Sequence, residues 1–144
     1  MTEITTISSS VDNPSQKSRS SLLHVCTSCR GPGSPREPEE NRAGFQLYQE
    51  LRTIFLDSHL KHSVEVKPTV CLNVCSRHCG IAFSSTGAWS YLFGDQCSGE
   101  TISDIVEGMS VYTSTDDGVM RREQRPRSLR TSILGRVPPQ VKTV

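Results

Sequence analysis

Five of the six cysteines in this 144-residue chain fall into two clusters, and no other residues in it carry so clear a chemical signal. The first cluster is Cys26 and Cys29, and the second is Cys71, Cys75 and Cys79. Clustered thiols bind soft metals, hold iron–sulfur clusters or carry out disulfide exchange. The chain shows no secretion signal and no run of about 20 apolar residues that would span a membrane. We therefore expect a cytoplasmic protein with reduced thiols, which favours metal or redox chemistry over structural disulfides.

A thioredoxin-type dithiol is the first alternative. Cys26 and Cys29 have the required spacing, but the first thiol of such a pair is activated by the N-terminus of a helix that follows directly. The next eight residues, 31–38, contain three prolines and two glycines, which exclude a helix there. The sequence therefore predicts that the activating helix end is missing, and a thiol oxidoreductase is the weakest of the alternatives.

Zinc and an iron–sulfur cluster are the other two alternatives, and both use four thiolates. The spacing of Cys26 and Cys29 suits zinc, whereas Cys71 and Cys75 are one residue further apart than in the common zinc knuckle. The additional donors His78 and Cys79 favour a protein that handles zinc or cobalt. The softness of the ligands does not distinguish between these metals. An iron–sulfur cluster needs only loops that bring two pairs of cysteines together. The cysteine spacing alone does not decide between a zinc site and an iron–sulfur cluster.

The elements around the cysteines follow a β-α-β order. A short apolar run, 22–26, predicts a strand that ends at Cys26. Apolar residues at helical spacing predict an amphipathic helix from Ala43 to about Leu60, and alternation from Val64 predicts a second strand that ends near Cys71, at a sheet edge because it contains a proline. A crossover of this kind makes the strands parallel neighbours. We therefore expect both cysteine clusters at the same edge of the sheet.

The remaining elements complete the expected fold class. Residues 80–84 and 89–93 flank a turn and predict an antiparallel β-hairpin, and periodic apolar residues after Thr101 predict a second helix. The order predicts an α/β fold, a thioredoxin-like sandwich with a mixed four-stranded sheet. Its domain is expected over 22–117, after a disordered polar leader, 1–21.

The C-terminal segment 118–144 is basic, with six arginines and one lysine against a single glutamate, although the net charge of the chain is only +1. We expect a tail that packs on the acidic domain and includes a short helix over Arg127–Val137. Arginines also neutralise phosphates, but aromatic residues that could stack on bases are scarce here. The sequence therefore predicts neither a nucleic-acid partner nor a membrane partner, and it leaves a homodimer open.

Two groups of proteins resemble this sequence around its cysteines. The pair Cys26 and Cys29, followed by the segment 70–75 with its Cys-Leu-x-x-Cys pattern, resembles the thioredoxin-like [2Fe–2S] ferredoxins. A closer similarity is to a bacterial family of small proteins of unknown function that are thought to bind metal, some of them associated with cobalamin-synthesis genes. It covers about 22–139 and rests on three segments: 24–30, 71–79 and 89–95.

The resemblance implies a small electron-transfer protein rather than an enzyme. Carried over residue by residue, the ferredoxin pattern implies a [2Fe–2S] cluster on Cys26, Cys29, Cys71 and Cys75, with Cys79 as a candidate further ligand. The short spacing of Cys26 and Cys29 differs from the four or more intervening residues that are usual in these ferredoxins. Cationic groups stabilise an anionic reduced cluster, and three candidates lie close to the cysteines in sequence: Arg30, Arg77 and His78. The redox partner protein is not identified by the sequence.

Overall fold

The fold was obtained as a computed structural model, which describes residues 20–30, 33 and 37–140. A mixed sheet lies at its centre, with the strand order β2-β1-β3-β4-β5. The strands β1 and β2 are parallel, and the other pairs are antiparallel. The strands are β1 Ser21–Cys26, β2 Val64–Thr69, β3 Ile81–Ser85, β4 Ser90–Phe93 and β5 Ile133–Val137, and the helices are α1 Ala43–Leu56, α2 Ile102–Ser114 and α3 Arg127–Thr131.

One face of the sheet carries the core. Leu23 on β1, Phe83 on β3 and Tyr91 on β4 lie in register and are buried, because side chains on one face of a sheet recur every second residue. The helix α2 packs on this face through Tyr112, whose ring centre lies 5.6 Å from that of Phe83. The helix α1 buries three residues in the same cluster: Leu47, Leu51 and Phe55. The result is the predicted α/β sandwich.

Helix α1 is shorter than the sequence predicts. It ends at Leu56 rather than near Leu60. The hydroxyl of Ser58 donates to the carbonyl of Phe55 at 2.9 Å and accepts the backbone N–H of Leu60 at 3.0 Å. A serine that binds the backbone in this way competes with helical hydrogen bonds, so the chain turns here towards β2. As predicted, β2 is an edge strand and contains Pro68.

The C-terminal segment corrects two predictions. The expected helix over Arg127–Val137 is wrong in its second half, because the chain forms α3 and then the strand β5. That strand pairs with β4, so the sheet has five strands instead of four. Pairing supplies hydrogen bonds that local sequence cannot reveal, and Arg136 adds a cation–π contact, 4.6 Å from the ring centre of Trp89. The described part of the predicted tail is thus packed on the domain.

Most of the predicted leader, residues 1–19, lies outside the described part of the chain. Its last residue, Ser21, already belongs to β1 and is buried. Within the described residues, no helix is long and apolar enough to cross a membrane. The division of the chain into a leader, a domain and a tail otherwise stays a prediction.

Candidate metal centre

The first pair of cysteines lies where β1 ends. The backbone N–H of Cys26 donates to the carbonyl of Gly80 at 3.0 Å, and that of Thr27 donates to the carbonyl of Thr69 at 2.8 Å. The end of β1 is therefore held between β2 on one side and the start of β3 on the other. Cys26 and Cys29 are both buried, with 2% and 6% of their surface exposed. Two thiols are thus fixed at the carboxyl end of a central strand, as predicted from their position.

The first turn of α1 packs directly on the loop between these cysteines. The N–H of Gly44 donates to the carbonyl of Cys29 at 2.9 Å. A Cβ atom at Gly44 would lie 2.1 Å from the carbonyl oxygen of Cys26 and 3.1 Å from the nitrogen of Cys29. As predicted, no helix follows Cys29 directly, but the chain returns after the Gly-Pro segment and brings the first turn of α1 next to this pair. The amide of Gly44 is, however, bonded to a backbone carbonyl.

Replacing Gly44 with alanine is expected to destabilise the protein, although alanine in a helix interior is normally favoured over glycine by about 1 kcal/mol. The contact at 2.1 Å is with backbone, which cannot rotate away as a flexible side chain could. Overpacking of this kind costs about 1–3 kcal/mol. Denaturant unfolding of Gly44→Ala should show a lower midpoint than the unmodified protein. The matched control is Gly135→Ala on β5, where a Cβ meets nothing within 4 Å, and equal midpoints for both variants would contradict the close packing.

The second pair lies on the loop between β2 and β3 and is exposed. The sulfur of Cys71 accepts the backbone N–H of Asn73 at 3.2 Å, and Asn73 adopts a left-handed conformation with a φ of 61°. Cys75 begins a single turn of 3-10 helix, Cys75–Arg77. Both thiols are free and exposed, in contrast to the buried pair on β1.

A cavity of about 270 Å³ joins the two pairs. All four cysteines of the implied ligand set line it, because the loops after the parallel strands β1 and β2 meet at one edge of the sheet. The other lining residues are Ser28, Arg30, Gly33 and His78. Cys79 does not line the cavity. Within the described residues, no three His, Cys, Asp or Glu side chains are grouped closely enough to hold a metal ion.

Three buried thiols, Cys26, Cys29 and Cys79, lie in one core cluster, and the first two border this cavity. Hydrogen bonding between neighbouring thiols shifts their pKa values. The bond to Cys29, together with burial, raises the pKa of Cys26. The pKa of Cys29 is also raised: its bond to Cys26 lowers it, but the bond to Cys79 and burial outweigh that effect. The pKa of Cys79 is lowered, because it accepts the hydrogen bond of Cys29.

Comparison with known proteins gives a family and a fold. Residues 23–139 match the family model described as protein of unknown function (DUF1636). The chain belongs to this family. No curated protein sequence matches it.

Two solved structures have the fold of this DUF1636 protein. One is described as a thioredoxin-like [2Fe-2S] ferredoxin from Aquifex aeolicus, with a TM-score of 0.56 and 18% identity over 86% of this chain and 99% of that one. The other is the wild type of that ferredoxin at 1.5 Angstroms resolution, with a TM-score of 0.51 and 15% identity over 81% of this chain and 98% of that one. The likeness confirms the predicted thioredoxin-like fold.

The donor set of the DUF1636 protein fits a centre held by thiolates. Four cysteine sulfurs border one cavity, and thiolate is the ligand that iron–sulfur clusters and soft metals prefer. One pair is fixed and buried, whereas the other is exposed on a loop.

Arg30 and His78 border this cavity, but Arg77 does not. The guanidinium of Arg77 forms two hydrogen bonds from Nε to the carboxylate of Asp95, at 2.8 and 3.0 Å. This partner also holds the pKa of Asp95 below its usual range. The charge of Arg77 is therefore compensated by Asp95. The predicted roles of Arg30, Arg77 and His78 beside a cluster stay predictions.

Two further residues with metal-binding side chains, His24 and Cys97, lie away from the cavity lining. His24 on β1 points to the sheet face opposite the core, where its Nε2 lies 2.8 Å from the hydroxyl of Ser84. Cys97 is exposed in the turn before α2 and donates its backbone N–H to Thr101. Gly44 was not predicted from the sequence, although a glycine in the first turn of an otherwise regular helix is a signal of close packing.

Proposed function

We propose that this DUF1636 protein is a ferredoxin-like electron carrier that holds a [2Fe–2S] cluster on Cys26, Cys29, Cys71 and Cys75. The observation that carries the proposal is that one cavity is bordered by both cysteine pairs, which come from the ends of adjacent parallel strands. The likeness to the ferredoxin from Aquifex aeolicus supports it at the level of the fold. When bound, such a cluster would supply reversible one-electron transfer.

In this proposal the inner pair of cysteines is held rigidly, and the outer pair gives access to the cavity. The hydrogen bonds around Cys26 and the packing of Gly44 hold the inner pair of sulfurs in place. The outer pair, Cys71 and Cys75, is exposed and can admit a metal centre to the cavity. Arg30 at the rim contributes a positive charge, which would stabilise the more anionic reduced state and raise the potential.

The raised pKa values of Cys26 and Cys29 argue against a thiol oxidoreductase as the main function. A reductase of this class needs a first thiol with a lowered pKa, since the thiolate is the nucleophile. Here burial and hydrogen bonding shift the pKa of Cys26 in the opposite direction. We therefore expect the protein to carry electrons to and from a partner protein in the cytoplasm without catalytic turnover of its own.

Zinc or cobalt binding is the second candidate. His78 lines the same cavity as the four thiols and would add a nitrogen donor. Imidazole and thiolate together suit zinc and related ions. A protein of this kind would store or deliver the metal rather than transfer electrons.

Protein purified without oxygen is expected to be brown and to contain about two irons and two sulfides per chain. The measurement is the visible spectrum together with iron, zinc, cobalt and acid-labile sulfide analysis of the same sample. The spectrum should bleach on reduction and recover on oxidation. A colourless protein with one zinc per chain would refute the ferredoxin proposal in favour of the second candidate.

A further inference from the structure

Gly94 and Asp95, which follow β4 directly, have no part in the proposed ligand set, yet they contact the loop that carries its outer pair. The backbone N–H of Asp95 donates to the carbonyl of Arg77 at 2.8 Å. Two further backbone hydrogen bonds join Cys79 and Gln96, at 3.0 and 3.4 Å. The end of the loop between β2 and β3 is therefore fixed along the residues that follow β4.

The side chains of Arg77 and Asp95 reinforce this backbone contact. The guanidinium donates from Nε to both carboxylate oxygens and from Nη2 to one of them, over distances from 2.5 to 3.0 Å. The two side chains are 40% and 47% exposed, and ion pairs at such exposure contribute little to the free energy of unfolding. A forked arginine–carboxylate contact does, however, fix the relative position of two segments. The pair is thus better suited to orienting the loop than to stabilising the fold.

Gly94 allows the loop to come this close. It is buried, and a Cβ atom at this position would lie 2.6 Å from both the carbonyl oxygen and the Cβ of Arg77. Backbone atoms cannot rotate away as the end of a flexible side chain can, so a side chain at Gly94 would displace the loop. The φ of Gly94 is not positive, so the close approach of Arg77 is what requires a glycine here.

Arg77 is joined to the proposed ligand Cys75 by one short turn. Both residues belong to the 3-10 turn Cys75–Arg77, and the N–H of Arg77 donates to the carbonyl of Val74 at 2.8 Å. Because residues of one hydrogen-bonded turn move together, a displacement of Arg77 also moves Cys75. Cys75 lines the cavity and Arg77 does not. Arg77 is therefore the link between the residues after β4 and a thiol of the cavity.

We propose that Gly94 and Asp95 are positioning residues of the metal centre, which hold Cys75 at the cavity by anchoring Arg77. Neither residue lines the cavity, so both act through the turn. A loop that is ordered before the metal arrives loses less conformational entropy on binding, and the affinity rises accordingly. The inference rests on the proposed function in taking Cys75 as a ligand. It applies equally to an iron–sulfur cluster and to a zinc or cobalt ion.

Cobalt(II) binding to the full-length, metal-free protein tests the role of Gly94. Cobalt alone is the probe, because thiolates bind it and the absorption of the complex reports the bound sulfurs. We expect Gly94→Ala to bind cobalt about tenfold more weakly than the unmodified protein, with weaker sulfur-to-cobalt absorption at saturation. The matched control is Gly135→Ala, where a Cβ meets nothing within 4 Å, and it should bind cobalt normally. Equal affinity of the two variants would overturn the role of Gly94.

Asp95→Asn separates positioning from electrostatics and adds no bulk. Asparagine tolerates the left-handed conformation of Asp95, whose φ is 60°, but offers Arg77 one acceptor oxygen instead of two. Four thiolates around a divalent ion are anionic overall, so removal of a nearby carboxylate would by itself strengthen cobalt binding. Positioning predicts the opposite, a loss of affinity of about threefold. Unchanged or tighter binding would overturn the role of Asp95.

Unfolding of the metal-free proteins distinguishes positioning from a general structural role. Because the ion pair is exposed, Asp95→Asn should unfold at the same denaturant midpoint as the unmodified protein while it binds cobalt more weakly. A lower midpoint together with unchanged affinity would assign Asp95 to stability alone. If Gly94→Ala does not fold, as judged by circular dichroism, the test rests on Asp95→Asn.

Cys75→Ser distinguishes failure of this inference from failure of the proposed function. If Cys75→Ser binds cobalt as tightly as the unmodified protein, Cys75 is not a ligand and the proposed ligand set fails. If Cys75→Ser binds weakly but Gly94→Ala and Asp95→Asn bind normally, only the positioning role fails. Should the unmodified protein take up iron and sulfide but no cobalt, iron content after anaerobic reconstitution replaces cobalt affinity in the same comparison. Uptake of neither metal would overturn both proposals.

Discussion

Serine in place of Cys71 or Cys75 is expected to abolish cluster incorporation while leaving the metal-free fold almost unchanged. Each thiol supplies one of four proposed ligands, so its loss leaves a metal atom of the centre incompletely coordinated. Both residues are exposed, and the Cys71 sulfur accepts a hydrogen bond from the N–H of Asn73. Surface substitutions of this kind change the free energy of unfolding by less than about 0.5 kcal/mol.

The measurement is iron and sulfide per chain after anaerobic reconstitution, with denaturant unfolding of the metal-free protein alongside. Cys97→Ser is the matched control, because Cys97 is equally a free, exposed thiol but does not line the cavity. The control should keep full iron content. If Cys71→Ser keeps its iron and Cys79→Ser loses it, the ligand set is different from the one proposed.

The sequence was sufficient to place the two cysteine pairs at one sheet edge. Strand periodicity and a crossover helix fix the direction of β1 and β2, and direction alone determines where their ends meet. That Cys29 and Cys79 are buried in one core cluster could not be predicted in the same way. It depends on how the turn before β3 approaches the end of β1, where the N–H of Cys26 meets the carbonyl of Gly80.

The strand β5 could not be predicted from the local sequence, and the reason is physical. Residues 133–137 contain apolar side chains that suit either a helix or a strand, and the decision comes from β4, whose free edge offers hydrogen bonds to β5. The same limit applies to α1, where spacing predicted the helix but not its contact with Cys26. Tertiary partners, rather than propensity, decide each of these positions.

Replacing Arg125 with methionine is expected to lower the free energy of unfolding by about 2–4 kcal/mol. Arg125 is only 9% exposed, although it lies in a strongly basic segment. Its Nε donates to the carbonyl of Leu129 at 3.1 Å and its Nη1 to that of Met120 at 3.2 Å. Methionine fills similar space but cannot donate, so it would leave the carbonyl of Leu129 unpaired and remove one of two donors to Met120, whose carbonyl also accepts the hydroxyl of Tyr91.

Arg127→Met is the matched control for this substitution, because Arg127 lies on α3 and its side chain is exposed. Denaturant unfolding should show a large loss for Arg125→Met and almost none for the control. The loss should begin in the C-terminal segment, so native-state hydrogen exchange should accelerate first in β5. The cavity is formed at the ends of β1 and β2, on the other side of the sheet order from β5, so Arg125→Met should retain its metal content under native conditions. Equal stability of the two variants would show that burial of Arg125 does not anchor the fifth strand.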